Sequence, residues 1–70
     1  MSGPTKLELR SRFRWLAGEL AELRDQEGAA SARQAARLVP PVDRALQLLD
    51  LLEGRVLERR AALRAFTIHH

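Results

Sequence analysis

Four carboxylates lie within one short stretch of the chain, and paired carboxylates can catalyse proton transfer. They are Glu19, Glu22, Asp25 and Glu27. General acid–base catalysis needs paired carboxyl groups in a walled cleft. A short helical chain offers little room for such a cleft, so the stretch predicts a solvated acidic face. We therefore expect no catalytic residues and no enzyme.

Other residues that could bind a metal or attack a substrate are few. The two histidines, His69 and His70, form a terminal pair without a third ligand, and the chain has no cysteine. The sequence also lacks a glycine-rich phosphate loop and a residue set for nucleophilic catalysis. We expect no metal, no cofactor and no small-molecule substrate. The histidine pair is either native or the remnant of a tag.

Arginines gather in two groups, at residues 10–14 and at residues 55–64, and the chain has a net charge of +3. If the chain folds back on itself, the two groups converge at its open end. The predicted basic patch consists of Arg10, Arg14, Arg59, Arg60 and Arg64. Such a patch attracts nucleic acid or an acidic protein. The modest net charge and the lack of interleaved aromatic residues instead favour a solvated surface.

The strongest pattern in the sequence is an apolar stripe that repeats in steps of three and four. It comprises Val42, Ala45, Leu49, Leu52, Val56, Leu63 and Phe66, with Arg59 at its one polar position. A shorter stripe upstream comprises Leu9, Phe13, Leu16, Leu20 and Leu23. This spacing is typical of helices that pack along other helices. The two stripes therefore predict two long helices with coiled-coil-like packing.

Capping residues and prolines indicate where these helices begin and end. Thr5 and Glu8 have the spacing of a capping box, which predicts a helix start at Thr5. Pro40 disfavours helical geometry at the preceding residue, and Pro41 suits the first turn of a new helix. We expect the last helix to continue to about Phe66 or Thr67.

The stretch between these boundaries allows two interpretations. We expect the first helix to continue through Gly28 to about Leu38, because a glycine costs only about 1 kcal/mol inside a helix. In the alternative, Gly28 caps the first helix, and Ser31 with Gln34 begins a short middle helix. Either way the chain is all-α. We predict an antiparallel helical hairpin over residues 5–68, with a flexible lead-in at residues 1–4 and a tail at residues 69–70.

A chain this small has a narrow margin of stability, and without cysteine it can gain more only by association. Several large apolar residues lie beside the stripes and widen the apolar surface beyond what one neighbouring helix covers. The predicted partner-binding residues are Trp15, Leu46, Leu48, Leu51, Leu57 and Phe66. Trp15 is either an interface anchor or a cap that packs near Phe66 and Ile68.

These patterns predict a small protein–protein interaction module that acts as an adaptor, an assembly subunit or a co-chaperone. Its partner would be another protein or a second copy of the chain. The alternative is a basic regulator that binds nucleic acid through the arginine-rich end. No apolar stretch approaches the roughly 20 residues that a membrane span needs, and the sequence shows no signal-peptide pattern. We therefore expect a cytoplasmic protein that does not contact a membrane.

Overall fold

The computed structural model describes residues 3–68, and the side chains of residues 3–66. This part of the chain forms three α-helices, α1 (Lys6–Glu22), α2 (Gln26–Arg37) and α3 (Val42–Ile68), and no strand. The all-α prediction is confirmed, whereas the chain has three helices and not the two of the expected hairpin. The predicted tail at residues 69–70 and the first two residues of the predicted lead-in lie outside the described residues. Within that range, no helix is long and apolar enough to cross a membrane.

The start of α1 follows from its capping residue. The Thr5 hydroxyl accepts a hydrogen bond from the backbone N–H of Glu8 at 3.1 Å and donates one to Glu8 Oε1 at 3.2 Å. The first contact satisfies one of the N–H groups that a helix start leaves without an intrahelical partner. The predicted start at Thr5 is therefore confirmed.

The end of α1 lies earlier than either interpretation of the sequence placed it. The backbone N–H of Asp25 donates to the Leu20 carbonyl and that of Arg24 to the Ala21 carbonyl, a pairing that closes a helix as a Schellman motif. Arg24 takes the left-handed conformation of this motif, with a φ of 63°. The expected helix through Gly28 is thus wrong, and so is a cap at Gly28, which lies in the first turn of α2.

Three contacts between helices define the topology. Arg10 near the start of α1 meets the carbonyl of Ala36 near the end of α2, so these two helices are antiparallel. Arg12 pairs with Glu53, and Glu19 pairs with Arg60. Because both residue numbers rise by seven between these pairs, α1 and α3 run in the same direction. The predicted antiparallel packing of the first helix against the last is wrong, because α2 is the antiparallel neighbour of both.

The core follows the two apolar stripes from Leu9 to Leu20 and from Ala45 to Val56, whereas Val42, predicted as the first residue of the later stripe, is exposed. Its buried residues are Leu9, Phe13, Leu16, Ala17 and Leu20 of α1, Ala29, Ala32, Ala35 and Ala36 of α2, and Ala45, Leu49, Leu52 and Val56 of α3. The alanines let α2 lie close to α1. Beyond the core, every residue from 57 to 66 is exposed. The predicted burial of Leu63 and Phe66 against α1 is therefore wrong. In the register set by the two ion pairs, Leu63 lies level with Glu22, the last residue of α1, and Phe66 lies beyond it.

We expect Leu52→Asp to unfold the protein and Leu51→Asp to leave it folded. The Leu52 side chain is 1% exposed, so the substitution buries an unpaired charge, whereas the adjacent Leu51 is 64% exposed. A domain of this size has only a few kcal/mol of stability to lose. Helicity by circular dichroism and urea midpoints would measure the difference. Equal stability of the two variants would contradict the assigned core.

Candidate functional site

An exposed tryptophan and leucine mark a groove between α1 and α3, which we call the Trp15 groove. Its volume is about 290 Å³, and its lining residues are Trp15, Leu16, Glu53, Val56, Leu57 and Arg60. Leu16 and Val56 form a floor that belongs to the core, whereas Trp15 is 58% and Leu57 is 66% exposed. The structure thus brings together two of the predicted partner-binding residues on an apolar surface with polar edges.

An ion pair closes each end of the Trp15 groove. At one end α1 supplies the arginine and α3 the glutamate, and at the other end the two helices exchange these roles. Arg12 Nη2 of α1 lies 2.6 Å from Glu53 Oε2 of α3, and at the other end Glu19 of α1 pairs with Arg60 of α3. Both arginine side chains are about half exposed. Exposed pairs of this kind contribute only about 0–1 kcal/mol each. Their charges therefore remain available to a docking partner.

The other predicted partner-binding residues lie elsewhere. Leu48 packs against the core and is partly buried. Leu46 is exposed and lies two turns before Glu53 on the same face of α3. Leu51 is exposed but lies about 120° around α3 from Leu57.

Phe66 lies nine residues beyond Leu57 on α3, about 14 Å along the helix axis, and it is exposed. The structure therefore does not gather the six predicted residues into one surface. Trp15 borders Leu57 in the groove. The side chain of Ile68, the other residue expected beneath Trp15, lies outside the described side chains.

The predicted basic patch is not assembled, because α1 and α3 are parallel. Arg60 is paired with Glu19, Arg64 lies in the exposed last turns of α3, and Arg59 lines a separate cavity beside Arg55. Arg10 and Arg14 instead face α2. There they line a groove of about 410 Å³ together with Ala17, Arg33, Ala36 and Arg37, which we call the arginine groove. Its two arginines from α2 were missed in the sequence, since only the antiparallel α1–α2 pairing brings them to this place.

An ion pair between a buried aspartate and a partly exposed arginine joins the α1–α2 turn to α3. Asp25 is 2% exposed, and both of its carboxylate oxygens accept hydrogen bonds from Arg55, at 2.6 Å from Nε and 2.6 Å from Nη2. The same carboxylate caps α2 by accepting the backbone N–H of Gly28 at 3.1 Å. The expected solvated acidic face is therefore wrong for Asp25. Three hydrogen bonds, two from Arg55 and one from Gly28, hold this side chain in the interior.

The electrostatics of this pair suit a structural role. Hydrogen bonds from the Arg55 guanidinium lower the pKa of Asp25 to about 2, although burial alone would raise it. The N–H of Gly28 and the positive charge of Arg59 act in the same direction. The Asp25 carboxylate in turn raises the pKa of Arg55. Asp25 is therefore ionised at neutral pH and has no proton to transfer there. Among the described residues, no three acidic, histidine or cysteine side chains cluster as metal ligands.

We expect Gly28→Ala to destabilise the protein by about 1 kcal/mol, although alanine is the better helix former. A Cβ at this position would lie 2.7 Å from Asp25 Oδ2 and 3.0 Å from Arg55 Nε. Asp25 cannot move aside without breaking its contacts. Gly18→Ala and Gly54→Ala are the controls, since a Cβ there meets nothing within 4 Å, and each should stabilise by up to about 1 kcal/mol. Equal urea midpoints for all three variants would contradict the assigned packing.

The buried pair also predicts how stability depends on pH. The folded pKa of Asp25 lies below its ordinary value of 3.8, so its contribution is complete above about pH 4 and lost as the pH falls towards 2. Asp25→Asn keeps a side-chain oxygen for the cap but removes the charge. We expect its stability deficit against the wild type to be large at pH 5 and to shrink at pH 2. A deficit that is constant across this range, measured by urea unfolding, would rule out the ionised pair.

Comparisons with protein-family models, with curated protein sequences and with solved structures find no match to this chain.

Proposed function

We propose that the protein is a helical protein–protein interaction module that binds through the Trp15 groove. The observation that carries the proposal is the exposed Trp15–Leu57 pair above a floor of core residues, with an ion pair at each end. Tryptophan is among the residues that contribute most to binding energy at protein interfaces. An apolar centre with a charged rim is also the usual arrangement of such interfaces.

The charge pattern of the groove supports a second copy of the chain as its occupant. Along α1 the order is Arg12, Trp15 and Glu19, and along α3 it is Glu53, Leu57 and Arg60. When two copies meet face to face with their helices antiparallel, the start of each groove faces the end of the other. Each α1 arginine then faces an α1 glutamate, and each α3 glutamate faces an α3 arginine. A two-fold axis through Trp15 thus pairs opposite charges everywhere on the rim.

Association in this form suits the energetics of the fold. A 70-residue chain without cysteine has a small core, and a second copy adds apolar burial where a lone chain leaves Trp15 and Leu57 in water. The protein would serve as an adaptor, an assembly subunit or a co-chaperone, and would bind other molecules without transforming them. The cytoplasmic location expected from the sequence stays a prediction. A nucleic-acid regulator acting through a convergent arginine-rich end loses its geometric support, because those arginines lie on separate surfaces.

We expect the wild type to be a concentration-dependent dimer in sedimentation experiments, and Trp15→Ala and Leu57→Glu to be monomers that keep their helicity. Leu38→Glu is the matched control, because Leu38 is also an exposed leucine but lies after α2 and away from the groove. This control should dimerise as the wild type does. A wild type that stays monomeric up to about millimolar concentration would overturn self-association as the function of the groove.

Charge reversal tests the antiparallel arrangement itself. Glu19→Arg should weaken the dimer, because it sets two arginines against each other across the interface. Adding Arg12→Glu should restore the dimer, since the exchanged charges again face each other between copies. This double variant breaks both ion pairs within the chain, so recovery cannot come from them. A double variant that associates no better than Glu19→Arg would contradict the antiparallel arrangement.

A further inference from the structure

We propose that the arginine groove between α1 and α2 is a second binding site, which takes an acidic helix of another protein. The site lies on a different side of α1 from the Trp15 groove. It shares no lining residue with that groove, so it does not depend on self-association. Its rim is formed by four arginines, two from each helix, and its floor by the methyl groups of Ala17 and Ala36.

The four arginines concentrate positive charge that forms no ion pair with the acidic side chains of residues 3–66. Among the described side chains, the ion pairs are Arg12–Glu53, Asp25–Arg55 and Glu19–Arg60, and none of them includes an arginine of this groove. Arg10 is held in place by a hydrogen bond from its Nε to the Ala36 carbonyl at 3.1 Å, which leaves its terminal nitrogens to donate elsewhere. Like charges gathered at one concave surface raise the local concentration of an anionic ligand.

The spacing of these arginines matches a helix that carries carboxylates. Arg10 and Arg14 are four residues apart on α1, as Arg33 and Arg37 are on α2, and four residues of helix span about 6 Å. Glutamates four residues apart on a third helix have the same separation. A guanidinium can bind a carboxylate through two parallel hydrogen bonds, which fixes orientation as well as charge.

The floor of the groove favours a peptide over nucleic acid. Alanine methyl groups accept a small apolar side chain between the two rows of charge, whereas a phosphate backbone gains nothing from an apolar floor. No aromatic side chain lines the groove, so it lacks the stacking surface that single-stranded nucleic acid uses. The ligand assigned to this site is therefore an amphipathic acidic helix.

The probe is a synthetic helical peptide with glutamates at positions i and i+4 along two edges and alanine between them. A peptide with glutamine in place of glutamate controls for charge, and a single-stranded oligonucleotide tests the other ligand class. The groove variant replaces three of the four rim arginines with glutamine: Arg14→Gln/Arg33→Gln/Arg37→Gln. It keeps Arg10, because Arg10 also contacts the end of α2. The control variant removes three positive charges from exposed positions outside the groove: Lys6→Gln/Arg44→Gln/Arg64→Gln.

At low salt we expect the glutamate peptide to bind the wild type, and the groove variant to lose about tenfold or more in affinity. The control variant should lose less than about threefold, and the glutamine peptide should not bind. Amide chemical shifts of the wild type should change at Ala17 and Ala36 on titration, a result that needs no variant to fold.

If the groove variant and the control variant lose the same affinity for the glutamate peptide, binding depends only on net charge, and the proposed site is wrong. Oligonucleotide binding that depends on the groove, with no binding of the peptide, would overturn the assignment to an acidic helix. A peptide that binds without shift changes at the two alanines would place its site elsewhere on the protein. None of these outcomes depends on whether the chain dimerises.

Discussion

The contact between Asp25 and Arg55 fixes how the three helices meet. Asp25 follows the turn that ends α1, caps the start of α2 and binds a residue in the middle of α3. Removing Arg55 would leave the buried Asp25 carboxylate without its charged partner, which destabilises the fold. The pair therefore selects one register for α3 against the other two helices, whatever its net contribution to stability. Gly28 belongs to the same constraint, because its lack of a Cβ leaves room for both partners.

This register determines the surfaces on either side of α1. With Arg55 turned towards the α1–α2 turn, Glu53, Leu57 and Arg60 face α1, and the Trp15 groove follows from their spacing. On the other side, alanines let α2 approach α1 closely. The longer arginine side chains cannot enter this contact and line its edge. Helix α1 thus borders the Trp15 groove, whose rim has charges of both signs, and on another side the arginine groove, whose rim is positive throughout.

The sequence was sufficient for elements whose signals are local. Thr5 marked the start of α1, and the prolines marked the start of α3. The spacing of the stripes identified the large buried residues of α1 and α3, although Val42 is exposed. A break after α1 was expected only as the alternative, and at Gly28, because Arg24 occupies the left-handed position where glycine is usual. The nearby glycine serves another purpose. Asp25 was expected on a solvated acidic face, whereas its burial depends on Arg55, thirty residues away. No local pattern indicates such a pairing.

That one missed turn decided the rest of the candidate sites. A continuous first helix would have set the late arginines against Arg10 and Arg14, whereas an added antiparallel helix reverses the chain once more and sets Arg33 and Arg37 there. The same reversal brings Leu57 to Trp15 and directs Leu48 to the core. If the two proposed sites are both used, one chain binds a second copy and an acidic helix at the same time, because the sites occupy different sides of α1. Each half of an antiparallel dimer would then present its own arginine groove, so self-association would double the valency for acidic partners.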